Sequence, residues 1–124
     1  MLERLVAFDT TSRKSNLALI DFVRDYLSGF GIESRLIPDD TGAKANLVAA
    51  IGPAEKAGIV LSGHSDVVPT DGQKWRSDPY KLTERGDALY ARGACDMKGF
   101  IACVLAAVPA IIAAKLPVPL YVAL

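Results

Sequence analysis

The chain has 124 residues, 51% of them hydrophobic, and its 14 Lys and Arg balance 14 Asp and Glu. That length supports one modest domain with a real core, and the apolar fraction excludes a disordered chain. Zero net charge, with no run of like charge, excludes the basic footprint of a nucleic-acid or anionic-lipid binder and leaves room for a small polar substrate.

In chain order, Leu2 to Phe8 reads as a short helix. Ser15 is a favourable N-cap for a second helix, in which Leu17, Ile20, Val23, Leu27 and Phe30 recur at spacings of three and four. Gly29 and Gly31 end it, Ile32 to Ile37 reads as a strand, and Pro38-Asp39-Asp40-Thr41-Gly42 is turn chemistry. Asn46 to Ile51 is a second strand, and Gly58 to Ser62 is an apolar run of the kind buried in a parallel sheet. A loop rich in Pro, Asp and Gly covers 69–80, and Lys81 to Ala91 predicts a hairpin turning at Arg85-Gly86-Asp87. Gly99 to Lys115 predicts an apolar helix, and Val118 to Leu124 a final apolar strand.

The strand at 59–63, the helix at 99–115 and the strand at 118–124 form one crossover unit with a long insertion. The expected fold is α/β, a mixed, largely parallel sheet covered by helices on both faces. Ending on a core strand predicts a truncated chain, because natural termini are mostly surface segments. The apolar run from Phe100 to Ala114 is shorter than a membrane span of roughly 20 residues and contains Pro109, so it predicts a buried core helix. Met1-Leu2-Glu3-Arg4 offers no signal-peptide core. Cys95 and Cys103, too far apart to bridge if both belong to one helix start, predict free thiols and a reducing cytoplasm.

Two clusters carry chemistry. His64, the one histidine, lies where a strand ends, with Asp66 two residues on and Val67-Val68-Pro69 after it. Ligands bind beyond the carboxyl ends of strands in such sheets. A neutral imidazole is a good metal ligand when a carboxylate fixes its tautomer, which Asp66 is near enough to do. A lone histidine at a strand end is nevertheless more often a surface or hydrogen-bonded residue. The second cluster is Arg92-Gly93-Ala94-Cys95-Asp96-Met97-Lys98-Gly99. Asp96 precedes a helix, where it either caps the N-terminus or ligates. Gly93 and Gly99 point to close backbone approach or unusual dihedrals. Cys95 reads as a buried small residue rather than a soft ligand, Met97 as packing, and Lys98 as either paired with a carboxylate or in solvent.

Together, Gly63-His64-Ser65-Asp66-Val67-Val68-Pro69 and Gly93-Ala94-Cys95-Asp96-Met97-Lys98-Gly99 resemble the two N-terminal motifs of a metallopeptidase family. That family includes aminoacylases, glutamate carboxypeptidases, succinyl-diaminopimelate desuccinylases and acetylornithine deacetylases. The resemblance runs through essentially the whole chain. The acetylornithine deacetylase branch is favoured by Thr10-Thr11-Ser12-Arg13-Lys14-Ser15-Asn16, by Asp71-Gly72-Gln73-Lys74-Trp75 and by Ser77-Asp78-Pro79-Tyr80. Ser65 stands where Thr is common, and Cys95 where a small residue is common.

The resemblance implies a zinc-exopeptidase-like catalytic domain of which residues 1–124 are the N-terminal portion. The general-base glutamate, further ligands and a lid and dimerisation domain would follow. It implies that His64 ligates one metal, that Asp66 acts catalytically by orienting His64, and that Asp96 bridges two metals. Two zinc ions are implied, with cobalt or manganese as alternatives, and the absence of Gly-x-Ser-x-Gly and Walker patterns leaves no rival nucleophile or phosphate loop. The implied activity is cytoplasmic deacetylation of N2-acetyl-L-ornithine in arginine synthesis by a homodimer acting on a small N-acyl amino acid, without nucleic-acid or membrane partners. Desuccinylation is the rival activity. The rivals from other classes are a fragment without activity of its own and a binding module with an incidental His-x-Asp.

Overall fold

The computed structural model describes residues 1–124, and apolar spacing accounts for most of what it contains. Ile20, Val23 and Leu27 are fully buried on one face of α2 (Leu17–Ser28), joined by Leu19. Leu17 is only half-buried. Phe30 is 41% exposed because the helix has ended before it and Gly31, at φ +73, turns the chain away; its ring lies against Tyr26 instead. Ser15 is not the N-cap. Its hydroxyl accepts a 3.2 Å hydrogen bond from Leu17 N–H, but the cap position is Asn16, whose side chain is engaged elsewhere. The short helix α1 (Leu2–Val6) buries Leu5 and Val6 and packs on α3 (Lys98–Ala114).

One sheet runs in the order β1 (Ser34–Pro38), β2 (Ala45–Ile51), β6 (Leu120–Ala123), β3 (Ile59–Ser62). β3 and β6 are parallel, joined through α3 as expected, while β1–β2 and β2–β6 are antiparallel. The sheet is therefore mixed, with its parallel pairing confined to the crossover. Register puts Ser34, Ala49, Val122 and Leu61 in one row, with Leu36 and Leu47 beside them. This face meets α2 and α3 in a cluster of 16 buried residues that includes Leu19, Leu27, Leu47, Ile101, Leu105 and Val122.

The expectation of helices on both faces does not hold within these residues. Strand β2 alternates buried with partly exposed positions along its whole length. On the second face Ile37 is 42% and Val60 57% exposed, and Ile59 at the sheet edge is 58% exposed. The run at 58–62 is thus an edge strand rather than a buried one, because no residue of the chain pairs with its outer side. Likewise α3 buries Ile101, Val104, Leu105 and Val108 but turns Cys103 outward. No helix is long and apolar enough to cross a membrane. The predicted hairpin is present as β4 (Thr83–Arg85) and β5 (Ala88–Tyr90), with Gly86 at φ +58 in its two-residue turn.

Candidate metal centre

The parallel pair β3 and β6 ends at the same level, with Gly63 N–H bonded to Ala123 O at 2.9 Å. The chain beyond β3 delivers His64 and Asp66 to that end, and the segment before α3 delivers Asp96. The structure brings the three predicted site residues together. His64 Nε2 lies 3.0 Å from Asp96 Oδ1. Its Nδ1 lies 2.9 Å from the Asp66 carbonyl oxygen and 3.3 Å from Asp66 Oδ1. A carbonyl oxygen only accepts, so Nδ1 carries a proton and Nε2 is the atom available to a cation. All three side chains are open to solvent, at 47% for His64, 51% for Asp66 and 84% for Asp96.

The capping alternative for Asp96 is not realised. The N-cap of α3 is Met97, with no side-chain cap hydrogen bond, and the Asp96 carboxylate faces His64. The Asp96–Met97 peptide bond is cis. Met97 does more than pack: its Sδ accepts a 3.3 Å hydrogen bond from His64 N–H. The glycines behave as their positions predicted. Gly93 has φ +80 and a Cβ there would stand 2.8 Å from Val67 Cγ1, while a Cβ at Gly99 would stand 2.2 Å from Ala94 O. Cys95 is exposed, not buried, and both thiols are free.

Lys98 fits neither expected environment. It is fully buried, and its ammonium donates a 2.6 Å hydrogen bond to Phe8 O. Burial pushes its pKa down to about 8, only partly offset by the charge of Asp9. Asn16 was also not singled out as a functional residue. Its amide donates to Ala45 O at 2.9 Å and to Ser65 Oγ at 3.0 Å, and its carbonyl accepts from Ala45 N–H at 3.0 Å, tying β2 to the His64 segment. No spacing in the sequence announces either contact.

The Asp96 hydrogen bond raises the His64 pKa above its ordinary value, against the opposing effect of partial burial. The Ser12 hydroxyl, 2.7 Å from Asp66 Oδ2, holds the Asp66 carboxyl below its ordinary value, again against burial. Nε2 therefore faces the Asp96 side chain at 3.0 Å, and a divalent cation entering between them would displace any proton that Nε2 carries. Two donors on one zinc, each about 2.1 Å from it, stand roughly 3 Å apart, and Nε2 and Oδ1 have that separation. The donor types and spacing fit a metal, but no group of three or more His, Cys, Asp or Glu side chains is placed to hold one. A cleft of about 210 Å³ opens beside these groups, lined by His64, Asp66, Arg92, Cys95 and Asp96 among others.

Known proteins share this arrangement of elements. Human carnosine dipeptidase 1 superposes with a TM-score of 0.80 at 29% identity, over 98% of this chain and 30% of that one. A family M20 metallo-carboxypeptidase from Sulfolobus solfataricus superposes with a TM-score of 0.84 at 21% identity, over 98% of this chain and 29% of its own. In sequence, acetylornithine deacetylase of Myxococcus xanthus is 48% identical over 99% of this chain, and that of Yersinia pseudotuberculosis is 43% identical over 94%. The chain spans about a third of the length of these curated relatives, 33% and 31%. The family description "Peptidase family M20/M25/M40" matches residues 60–124, more than half of the chain. That stretch starts in β3, ends with β6 and contains His64, Asp66 and Asp96 between them, so the chain belongs to the M20/M25/M40 peptidase family.

Proposed function

We propose that these residues are the N-terminal portion of the catalytic domain of a metal-dependent amide hydrolase that deacetylates N2-acetyl-L-ornithine. The observation that carries the reading is the line Asp66–His64–Asp96, in which one ring nitrogen is held by Asp66 and the other is aimed at a second carboxylate. The relatives named acetylornithine deacetylase, at 48% and 43% identity, support the substrate.

In this reading His64 Nε2 would hold one metal ion and the Asp96 carboxylate would be shared between two, the ions being zinc, cobalt or manganese. When bound, the ions supply Lewis acidity to the amide carbonyl and to the attacking water. Asp66 keeps the His64 proton on Nδ1 and so keeps Nε2 free to ligate. The three-donor minimum of a catalytic zinc site is met only with donors from outside these residues, which the greater length of the relatives allows. The same greater length leaves room for a general base and for a lid that closes the site and mediates dimerisation. The proposed setting is the cytoplasm, in arginine synthesis.

The test is an assay of the full-length polypeptide that carries this chain, with N2-acetyl-L-ornithine and N-succinyl-diaminopimelate offered separately. The expected result is chelator-sensitive turnover of the acetyl substrate, restored by zinc or cobalt. Preference for the succinyl substrate would move the activity to desuccinylation. Turnover indifferent to chelator and to added metal would overturn the metal reading.

A further inference from the structure

The Asp66 carbonyl takes the His64 Nδ1 hydrogen bond at 2.9 Å; the Asp66 carboxylate, with Oδ1 3.3 Å from Nδ1, adds to that hold only if something fixes its rotamer, and half of its side chain is open to water. The group that does so comes from 54 residues away. Ser12 Oγ stands 2.7 Å from Asp66 Oδ2 and 3.2 Å from Val67 O. A hydroxyl has one proton, and the shorter, charge-assisted bond to the carboxylate takes it. Oδ1 is then left on the side of His64 Nδ1.

The position of Ser12 is itself fixed. Thr11 and Val67 form a parallel bridge, with Val67 N–H bonded to Thr10 O at 3.0 Å and Ser12 N–H bonded to Val67 O at 3.1 Å. The buried Thr10 hydroxyl donates to Ser65 O at 2.6 Å, one residue from each of His64 and Asp66. Lys44 holds Ser12 O from outside, and the buried Lys98 ammonium holds Phe8 O, bringing the segment after Asp96 onto the same strip of chain. The strip from Phe8 to Ser12 therefore touches both motifs, and Ser12 is the one side chain in it that reaches a site carboxylate.

We propose that Ser12 is a positioning residue of this centre, its hydroxyl holding the Asp66 carboxylate in the rotamer that presents His64 Nε2 for ligation. The proposal rests on the metal reading above. Solvent can replace the hydroxyl as a hydrogen-bond donor but not as a fixed one. The expected loss is therefore near the lower end of the 10- to 100-fold range found when the support of a metal ligand is removed, about 10-fold in metal affinity.

The experiment compares Ser12→Ala, Ser12→Thr and, as a remote hydroxyl control, Thr41→Ala in the full-length polypeptide. Cobalt(II) affinity is read by competition with a chelator, coordination by the visible absorption band, and folding by the melting temperature of the metal-free protein. The expected result is a loss of about 10-fold in cobalt affinity and a changed band for Ser12→Ala, at a melting temperature like that of Thr41→Ala, with Ser12→Thr restoring both. Unchanged affinity and spectrum in Ser12→Ala would overturn the proposal. Equal losses in Ser12→Ala and Ser12→Thr that follow a lowered melting temperature would also overturn it, as a purely structural role. If the wild type binds no cobalt, the metal reading fails, and Ser12 is judged in the metal-free protein by the ring-nitrogen shifts of His64 at one fixed pH. A shift difference between wild type and Ser12→Ala that Ser12→Thr removes supports the positioning role, and identical shifts refute it.

Discussion

On the proposed reading, His64 is the residue on which proton and metal would compete. Its pKa is raised above the ordinary 6.5 in the folded chain, chiefly by the Asp96 hydrogen bond. The stability this pairing contributes is therefore fully present below about pH 6.5 and is lost as pH rises through the raised value. Asp66 runs the other way: its pKa lies below the ordinary 3.8, so its contribution is present above that value and is lost as pH falls through the lowered one. Metal binding removes the Nε2 proton, so affinity is expected to climb with pH through the raised His64 pKa and then level off. Zinc or cobalt titrations of the full-length polypeptide between about pH 6 and 9 check this. A flat profile would mean that His64 is not a ligand.

Much at this scale was legible. His64, Asp66 and Asp96 stood out because their residue types and neighbours resemble two short motifs, and the structure brings Asp66 and Asp96 each within hydrogen-bond reach of His64. What surrounds them was not legible. The partners of Asp66 and Lys98 lie 54 and 90 residues away in the chain, and Phe8 contributes only a backbone carbonyl, which no side-chain pattern encodes. A lysine near an aspartate reads as either paired or in solvent unless the packing around it is known.

Among the elements, α3 depends most on that buried lysine, because Lys98 opens the helix and ties it to the end of α1. Phe8 O also accepts from Thr10 N–H at 3.0 Å, so removing the ammonium leaves no orphaned carbonyl. Lys98→Met keeps most of the stem and removes a buried charge, and is expected to change stability by less than about 1 kcal/mol. Lys98→Ala empties the site and is expected to cost about 2–5 kcal/mol. Denaturant unfolding of the two variants separates packing from charge; large and equal losses in Met and Ala would mean that the ammonium bond dominates. Because its folded pKa is about 8 against an ordinary 10.5, wild type should also gain stability relative to Lys98→Met as pH rises across that window.

Element types were read well where periodicity was long, as in α2, or chemistry sharp, as in the Arg85-Gly86-Asp87 hairpin. Caps were not. Ser15 and Asn16 are both good capping residues, and Asn16 takes the position while its amide binds β2, a choice made by the tertiary structure.

For the whole molecule, the large unknown from sequence was exposure. A run such as Ile59-Val60-Leu61 reads the same whether its second neighbour and second cover are present or not. Here β3 is an edge, with Ile59 and Val60 more than half exposed, and Ile37 adds to the apolar surface of the same sheet. Unpaired edges and exposed apolar patches drive association. These 124 residues expressed alone are expected to self-associate in light scattering, and a monodisperse monomer with a cooperative melt would contradict that.

The central claim, that His64 and Asp96 hold a metal, is tested most directly by Asp96→Asn in the full-length polypeptide, measuring bound metal and acetylornithine turnover together, with circular dichroism to verify the fold. Asparagine keeps an oxygen that can hydrogen-bond His64 Nε2, so a purely structural role predicts little change. A neutral amide is a poor bridge between cations, so the account predicts lost metal and a fall in turnover of at least about 100-fold at an unchanged fold. Near-normal turnover at full metal occupancy would contradict it.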